Sequence, residues 1–254
     1  MTKIREIYDY INEIAPFDTA LSFDNVGLLV GDYDVNVSKV LLSLDITKPV
    51  CDEAKNLGAN LIISHHPIIF KPFKNIEFGS VVAALIKNGI SAICAHTNLD
   101  IAKNGVNFQL ARKLGLSDLS VLALEENNPL GLLGYMESEM SAEDFAEHVK
   151  EKLGCGGLRY TKTNDRIKKV AVCSGSGGSF IESAYEKSAD AFVTGEIKHS
   201  DILKANELGI SIVDTGHYKS ENVIIEPLKN MLSDKFPCVP FFTSEIFSDT
   251  VNYL

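Results

Sequence analysis

The sequence predicts an α/β protein with parallel or mixed sheets, built from two related halves. Three observations carry that expectation. Short apolar runs alternate with helical patterns, four of those runs end in metal-type ligands, and the second half echoes the first at a nearly constant offset. Alternating strands and helices imply right-handed crossovers and a largely parallel or mixed sheet. Open sheets of this kind bind ligands beyond the carboxyl ends of their strands.

The elements follow in order. Ile4, Ile7, Tyr8, Ile11 and Ile14 recur at helical spacing, which predicts an amphipathic helix over 2–14 closed by Pro16. Val26–Val30 and Val40–Leu44 read as strands, and Pro49–Leu57 as a helix stopping at Gly58. Leu61–Ser64 is a short buried strand, Val81–Lys87 a helix closed by Asn88-Gly89, and Ile90–Ala95 a strand again. Val106–Leu114 reads as a helix ended by Gly115, and 141–153 as another, with Ser141 as N-cap and Asp144 in its first turn.

A shift of 130 residues lays Lys39-Val40 on Lys169-Val170, Ala54 on Ala184, Ala59-Asn60 on Ala189-Asp190 and Ser64 on Thr194. A shift of 120 lays Gly89-Ile90-Ser91 on Gly209-Ile210-Ser211. We read an internal duplication, with halves at 1–125 and 126–254 whose strand ends face one cleft.

The chemistry sits at those ends. Leu61–Ser64 runs into His65-His66, and Ile90–Ala95 runs into His96, with Asp100 four residues on. Ala191–Thr194 ends at Gly195-Glu196, and Ile210–Thr215 stops just before His217, with Glu221 four residues on. Residues four apart share a face if a helical turn follows the strand. Taken singly, each pair also fits a helix N-terminus with a carboxylate near the dipole. Repetition just past successive strands favours a metal site. His65, His66, Asp100, His217 and Glu221 supply five nitrogen and oxygen donors, with His96 a sixth candidate. A closed structural zinc site takes four ligands. The surplus suits two ions sharing a bridging carboxylate, about 3.5–4 Å apart, with an activated water. No cysteine joins the set, so zinc, iron, manganese, nickel and cobalt all fit.

Glu196 is the next candidate, as a group that orients a ligand imidazole or carries a proton. His199 and His148 read as surface helix residues. The loop Ser174-Gly175-Ser176-Gly177-Gly178-Ser179 follows a strand and can cradle an anion with backbone N–H groups. It lacks the spacing of a P-loop or of the dinucleotide fingerprint, so a tight turn competes with that reading.

Composition bounds the rest. Of the 254 residues, 45% are hydrophobic and 23% charged, as in ordinary globular proteins. A net charge of −10 argues against nucleic-acid or acidic-membrane partners. Five cysteines without CxxC spacing are neither a disulfide framework nor a zinc ribbon, and Cys94 and Cys173 read as small core residues. With no secretory leader and no apolar run near about 20 residues, the expectation is a cytoplasmic protein.

The ordered motifs Phe23-Asp24-Asn25-Val26-Gly27-Leu28-Leu29-Val30-Gly31, Ser64-His65-His66-Pro67, Asn98-Leu99-Asp100, Val193-Thr194-Gly195-Glu196 and Thr215-Gly216-His217 with Glu221 resemble the Nif-three-like family, often labelled GTP cyclohydrolase I type 2. The resemblance spans nearly the whole chain. It implies two intertwined α/β repeats with mixed sheets and a dinuclear metal cleft at strand ends. It also implies a toroidal homohexamer, a trimer of dimers. The implied ligands are His65, His66, Asp100, His217 and Glu221, with Glu221 as bridge and His96 a further nearby histidine. Members commonly carry Trp where Phe23 stands, and the span 125–160 is too short for the inserted domain of longer members. The expected function is a metal-dependent hydrolase acting on a nucleotide or related small molecule, with Glu196 and His96 as proton carriers. The alternative is a non-enzymatic metal-binding scaffold or regulatory partner.

Overall fold

The computed structural model describes residues 1–254. In chain order its elements are α1 (Ile4–Ile14), β1 (Gly27–Val30), β2 (Val40–Ser43), α2 (Lys48–Leu57), β3 (Leu61–Ser64), α3 (Val81–Asn88), β4 (Ser91–Cys94), α4 (Thr97–Ile101), α5 (Val106–Leu114), β5 (Ser117–Glu125), β6 (Asn128–Met140), α6 (Ala142–Leu153), β7 (Arg159–Tyr160), β8 (Ile167–Cys173), α7 (Ile181–Glu186), β9 (Ala191–Thr194), α8 (His199–Glu207), β10 (Ser211–Asp214), α9 (His217–Glu221), α10 (Ile225–Lys235) and β11 (Phe241–Thr243). No helix is long and apolar enough to cross a membrane.

Two compact units result. One takes Met1–Lys103 and Ile225–Ser248, the other Asn104–Ile224 and Asp249–Leu254. Against the expected halves 1–125 and 126–254, α5 and β5 lie in the second unit while α10 and β11 lie in the first.

The first unit holds a five-stranded sheet in the order β1-β4-β3-β2-β11. Strands β11, β2, β3 and β4 run parallel, and β1 closes the edge antiparallel to β4. Every residue of β2, β3 and β4 is buried. Strands covered on both faces need apolar residues throughout, which is why these segments are continuous apolar runs without alternation. Leu41, Ile62 and Ala92 pack with Val50, Cys51 and Ala54 of α2 and with Leu85 of α3. Helix α2 starts where the Thr47 hydroxyl accepts from Val50 N at 3.4 Å, and it stops at Gly58, whose φ of 71° suits a residue without a Cβ.

The second unit holds a six-stranded sheet in the order β5-β6-β8-β9-β10-β7. Its centre, β8-β9-β10, is parallel, while β5, β6 and β7 pair antiparallel. The registers express the duplication. In the first sheet Val40 aligns with Leu61, and Leu61 with Ser91. In the second, Val170 aligns with Ala191, and Ala191 with Ser211. These are the same positions displaced by 130, 130 and 120 residues. Equivalent strand ends therefore follow: Ser43, Ser64 and Cys94 in one sheet, and Cys173, Thr194 and Asp214 in the other.

Candidate metal centre

In the first unit, three parallel strands deliver side chains to one sheet edge. Asp45 follows β2, His65 and His66 follow β3, and His96 follows β4 two residues beyond its end. The rings of His65 and His66 lie 5.1 Å apart between centroids, His65 and His96 5.1 Å, and His66 and His96 5.4 Å. One ring nitrogen from each falls within 4.8 Å of the others. Asp100, one turn into α4, places Oδ1 3.8 Å from His65 Nε2.

Each imidazole is held at Nδ1. His65 Nδ1 lies 3.0 Å from the Ala95 carbonyl, His66 Nδ1 2.9 Å from Asp45 Oδ1, and His96 Nδ1 3.0 Å from Asp24 Oδ1. A carbonyl and an ionised carboxylate only accept, so Nδ1 carries the proton in all three rings and donates. In the neutral ring the lone pair is then on Nε2. This is the orientation by outer partners that metal-binding histidines show.

Asp24 organises more than one group. Its Oδ2 accepts from Thr97 N at 3.0 Å and from Thr97 Oγ1 at 2.5 Å, so one carboxylate starts α4 and holds His96. Burial pushes its pKa up, but the hydrogen bonds from His96 and Thr97 outweigh burial and bring it down to about 2. Asn98 accepts from His96 N at 3.0 Å and donates to the Ala15 carbonyl at 2.7 Å, which anchors the same turn to α1. Cys94 donates its thiol to the His65 carbonyl, and burial pushes that thiol well above its ordinary range. It stays protonated, as a core residue should.

In the second unit, His217 opens α9 and Glu221 closes it. His217 Nε2 stands 3.0 Å from Glu221 Oε2, and the Glu221 side chain is only 4% exposed. Glu196, just past β9, places Oε2 3.5 Å from His217 Nδ1. A buried carboxylate is costly unless it is paired or coordinates a cation. The surrounding backbone leaves room for nothing larger than glycine at two points. A Cβ on Gly175, where φ is +60°, would fall 2.4 Å from Glu221 Oε1. One on Gly195 would fall 2.4 Å from Ser220 Oγ and 3.0 Å from His217 Cα. Gly195→Ala is therefore expected to cost about 1–3 kcal/mol in urea denaturation. An unchanged midpoint would contradict the close approach.

The sequence-derived candidates thus gather as one set per unit: His65, His66, His96 and Asp100 in the first, Glu196, His217 and Glu221 in the second. His148 lies outside them, donating to the Leu114 carbonyl at 2.9 Å, and His199 is exposed at the start of α8. Sequence reasoning missed the roles of Asp24 and Asp45. Asp45 immediately follows the β2 run, the same strand-end signal that marked the histidines.

Comparison with known proteins adds the context. The sequence profile of the Duf34/NIF3 (NGG1p interacting factor 3) family matches residues 2–250. A Clostridium perfringens protein named GTP cyclohydrolase 1 type 2 homolog is 33% identical over 261 residues, covering 99% of this chain and 100% of its own. A crystal structure of a Bacillus cereus protein related to NIF3 is similar at a TM-score of 0.94 with 28% identity, over 100% of this chain and 99% of that one. Reduced HcgD from Methanocaldococcus jannaschii is similar at 0.84 with 32% identity, over 96% and 98%.

Proposed function

This chain belongs to the Duf34/NIF3 family, and from that premise we propose that it is a metal-dependent hydrolase of nucleotides or related metabolites. The observation that carries the reading is the common Nδ1 anchoring of His65, His66 and His96, which leaves Nε2 as the nitrogen each ring can offer to a cation. His65, His66, Asp100, His217 and Glu221 would hold two divalent ions, Glu221 being the residue that the family resemblance assigns to both. Zinc, iron, manganese, nickel and cobalt all suit this mixed nitrogen and oxygen set. When bound, such ions supply Lewis acidity and an acidified water.

The remaining residues handle protons and orientation. Glu196 stands at His217 Nδ1, where it fixes that ring and can take a proton. His96, held by Asp24, is the second proton carrier. The Gly175–Gly178 loop holds an anionic part of the substrate. The nucleotide class follows the name of the Clostridium perfringens relative. We place the protein in the cytoplasm as a homohexamer, a trimer of dimers, as the family resemblance implies.

A screen of nucleotides with metal-loaded protein tests this. A turned-over substrate is expected, with Glu221→Ala lowering its turnover at least about 100-fold. Full turnover by that variant would end the hydrolase reading. The second reading, a metal-holding interaction protein, draws on the family description as an interacting factor. It predicts saturated, slowly exchanging metal and no turnover.

A further inference from the structure

Within the second unit a cavity of about 480 Å³ opens beside Glu196. Its wall carries Arg159, Lys198, Ser176, Ser179, Glu196 and Asp201. The volume is that of a small-metabolite site. The geometry points to a sugar-phosphate subsite, in which Arg159, Lys198 and the two serine hydroxyls take the phosphate while Glu196 and Asp201 accept from sugar hydroxyls. This deepens the hydrolase reading, resting on it only for the claim that the bound sugar phosphate is part of a substrate.

The cationic wall is held in place. Arg159 donates from Nε to Asp214 Oδ2 at 3.1 Å and from Nη2 to the Ile197 carbonyl at 3.2 Å, and it forms an ion pair with the same carboxylate. Asp214 is 7% exposed while the Arg159 side chain remains 66% exposed. A guanidinium fixed from behind, with its other face open, is preorganised for phosphate. Lys198, exposed at the start of α8, adds a second positive charge.

The serine wall is fixed as well. The Gly175 carbonyl accepts from Gly195 N at 2.9 Å and Glu196 N at 3.0 Å, and Gly177 N donates to Thr194 Oγ1 at 3.0 Å. Gly178 lets the loop come close to Asp201, since a Cβ there would sit 2.5 Å from Asp201 Oδ2. The loop is thus pinned to the end of β9, with Ser176 and Ser179 on the cavity wall.

The carboxylates decide the ligand class. Two cations alone would suit inorganic phosphate. Glu196 and Asp201 repel a bare anion but accept hydrogen bonds from hydroxyl groups. A molecule with a phosphate at one end and vicinal hydroxyls at the other satisfies both walls, as the ribose-phosphate portion of a nucleotide does.

Titration calorimetry on the full chain tests this with ribose 5-phosphate, ribose and inorganic phosphate. Ribose 5-phosphate should bind saturably, and each of the other two at least about tenfold more weakly. Lys198→Glu should weaken ribose 5-phosphate by about tenfold or more, equal to about 1.4 kcal/mol, with metal content unchanged. Asp201→Asn should narrow the gap between ribose 5-phosphate and inorganic phosphate. Arg159→Ala removes the partner of a buried carboxylate and risks misfolding, so the exposed Lys198 carries the test. No saturable binding by the wild type, or equal affinity in Lys198→Glu, overturns the inference. If His65→Ala/Glu221→Ala loses metal and turnover but keeps ribose 5-phosphate affinity, the subsite stands on its own. If no nucleotide is turned over yet ribose 5-phosphate binds as described, the subsite again stands and only the hydrolase reading fails.

Discussion

Asp24→Ala is expected to destabilise the protein by about 3–5 kcal/mol at neutral pH, the usual cost of removing one partner from a buried charged network. The Asp24 side chain is fully buried. Its loss leaves the His96 ring, Thr97 N and Thr97 Oγ1 without their common acceptor. Acid dependence gives the effect a signature. The folded pKa lies at about 2, below the ordinary 3.8, although burial alone would raise it, because hydrogen bonds from His96 and Thr97 favour the charged form. A carboxylate depressed in the folded state contributes stability that is complete above about pH 4. It is lost as pH falls toward 2. The gap of nearly two units corresponds to roughly 2 kcal/mol. Urea denaturation of wild type and variant at pH 7 and pH 2.5 should therefore show the difference shrinking at the acid end. A difference independent of pH would mean that the carboxylate charge plays no part.

Phe192→Ala should cost about 3–5 kcal/mol, as large-to-small changes at sealed aromatic positions do. Phe192 is fully buried at the second residue of β9, aligned with Ala171 on β8 and Ile212 on β10. The strand it anchors ends at Thr194, immediately before the Gly195-Glu196 turn, so the cavity would be felt at Glu196. Denaturation with a loss below about 1 kcal/mol would show that the sheet collapses around the gap.

The central strands were legible because burial on both faces leaves an apolar run that nothing else explains. Leu61–Ser64 and Val106–Leu114 occur with the bounds that the sequence predicts, and α1, α2, α3 and α6 shift by two residues or fewer. The β5–β6 hairpin was illegible for a physical reason. Most of β5 is exposed or half-buried, so it shows no hydrophobic pattern, and β6 carries Pro129, Gly131 and Gly134. Its turn, Glu126-Asn127, has positive φ at both residues (48° and 68°) without the glycine that usually announces one. Helix α8 buries only Ala205, and β11 is only three residues long, which leaves little periodicity to read.

The candidate site residues were legible because they stand at, or four residues beyond, the ends of apolar runs, a position where imidazole and carboxylate have no packing purpose. Their outer partners were not. Asp24 sits 72 residues from the ring that it holds, and no local spacing announces such a pairing. Asp45 was visible as a strand-end residue, but its partner His66 lies 21 residues on, across the β2–β3 crossover. Likewise Gly195 looks like an ordinary turn glycine until Ser220 and His217 are seen against it.

Metal content per chain, measured by elemental analysis on wild type and on His65→Ala/Glu221→Ala, tests the central claim most directly. A dinuclear centre with one bridging carboxylate predicts close to two divalent ions per wild-type chain, and their loss from the double variant with folding retained. Less than about one ion per chain, unchanged by the substitutions, would contradict it and leave the strand-end histidines and carboxylates without a metal to hold.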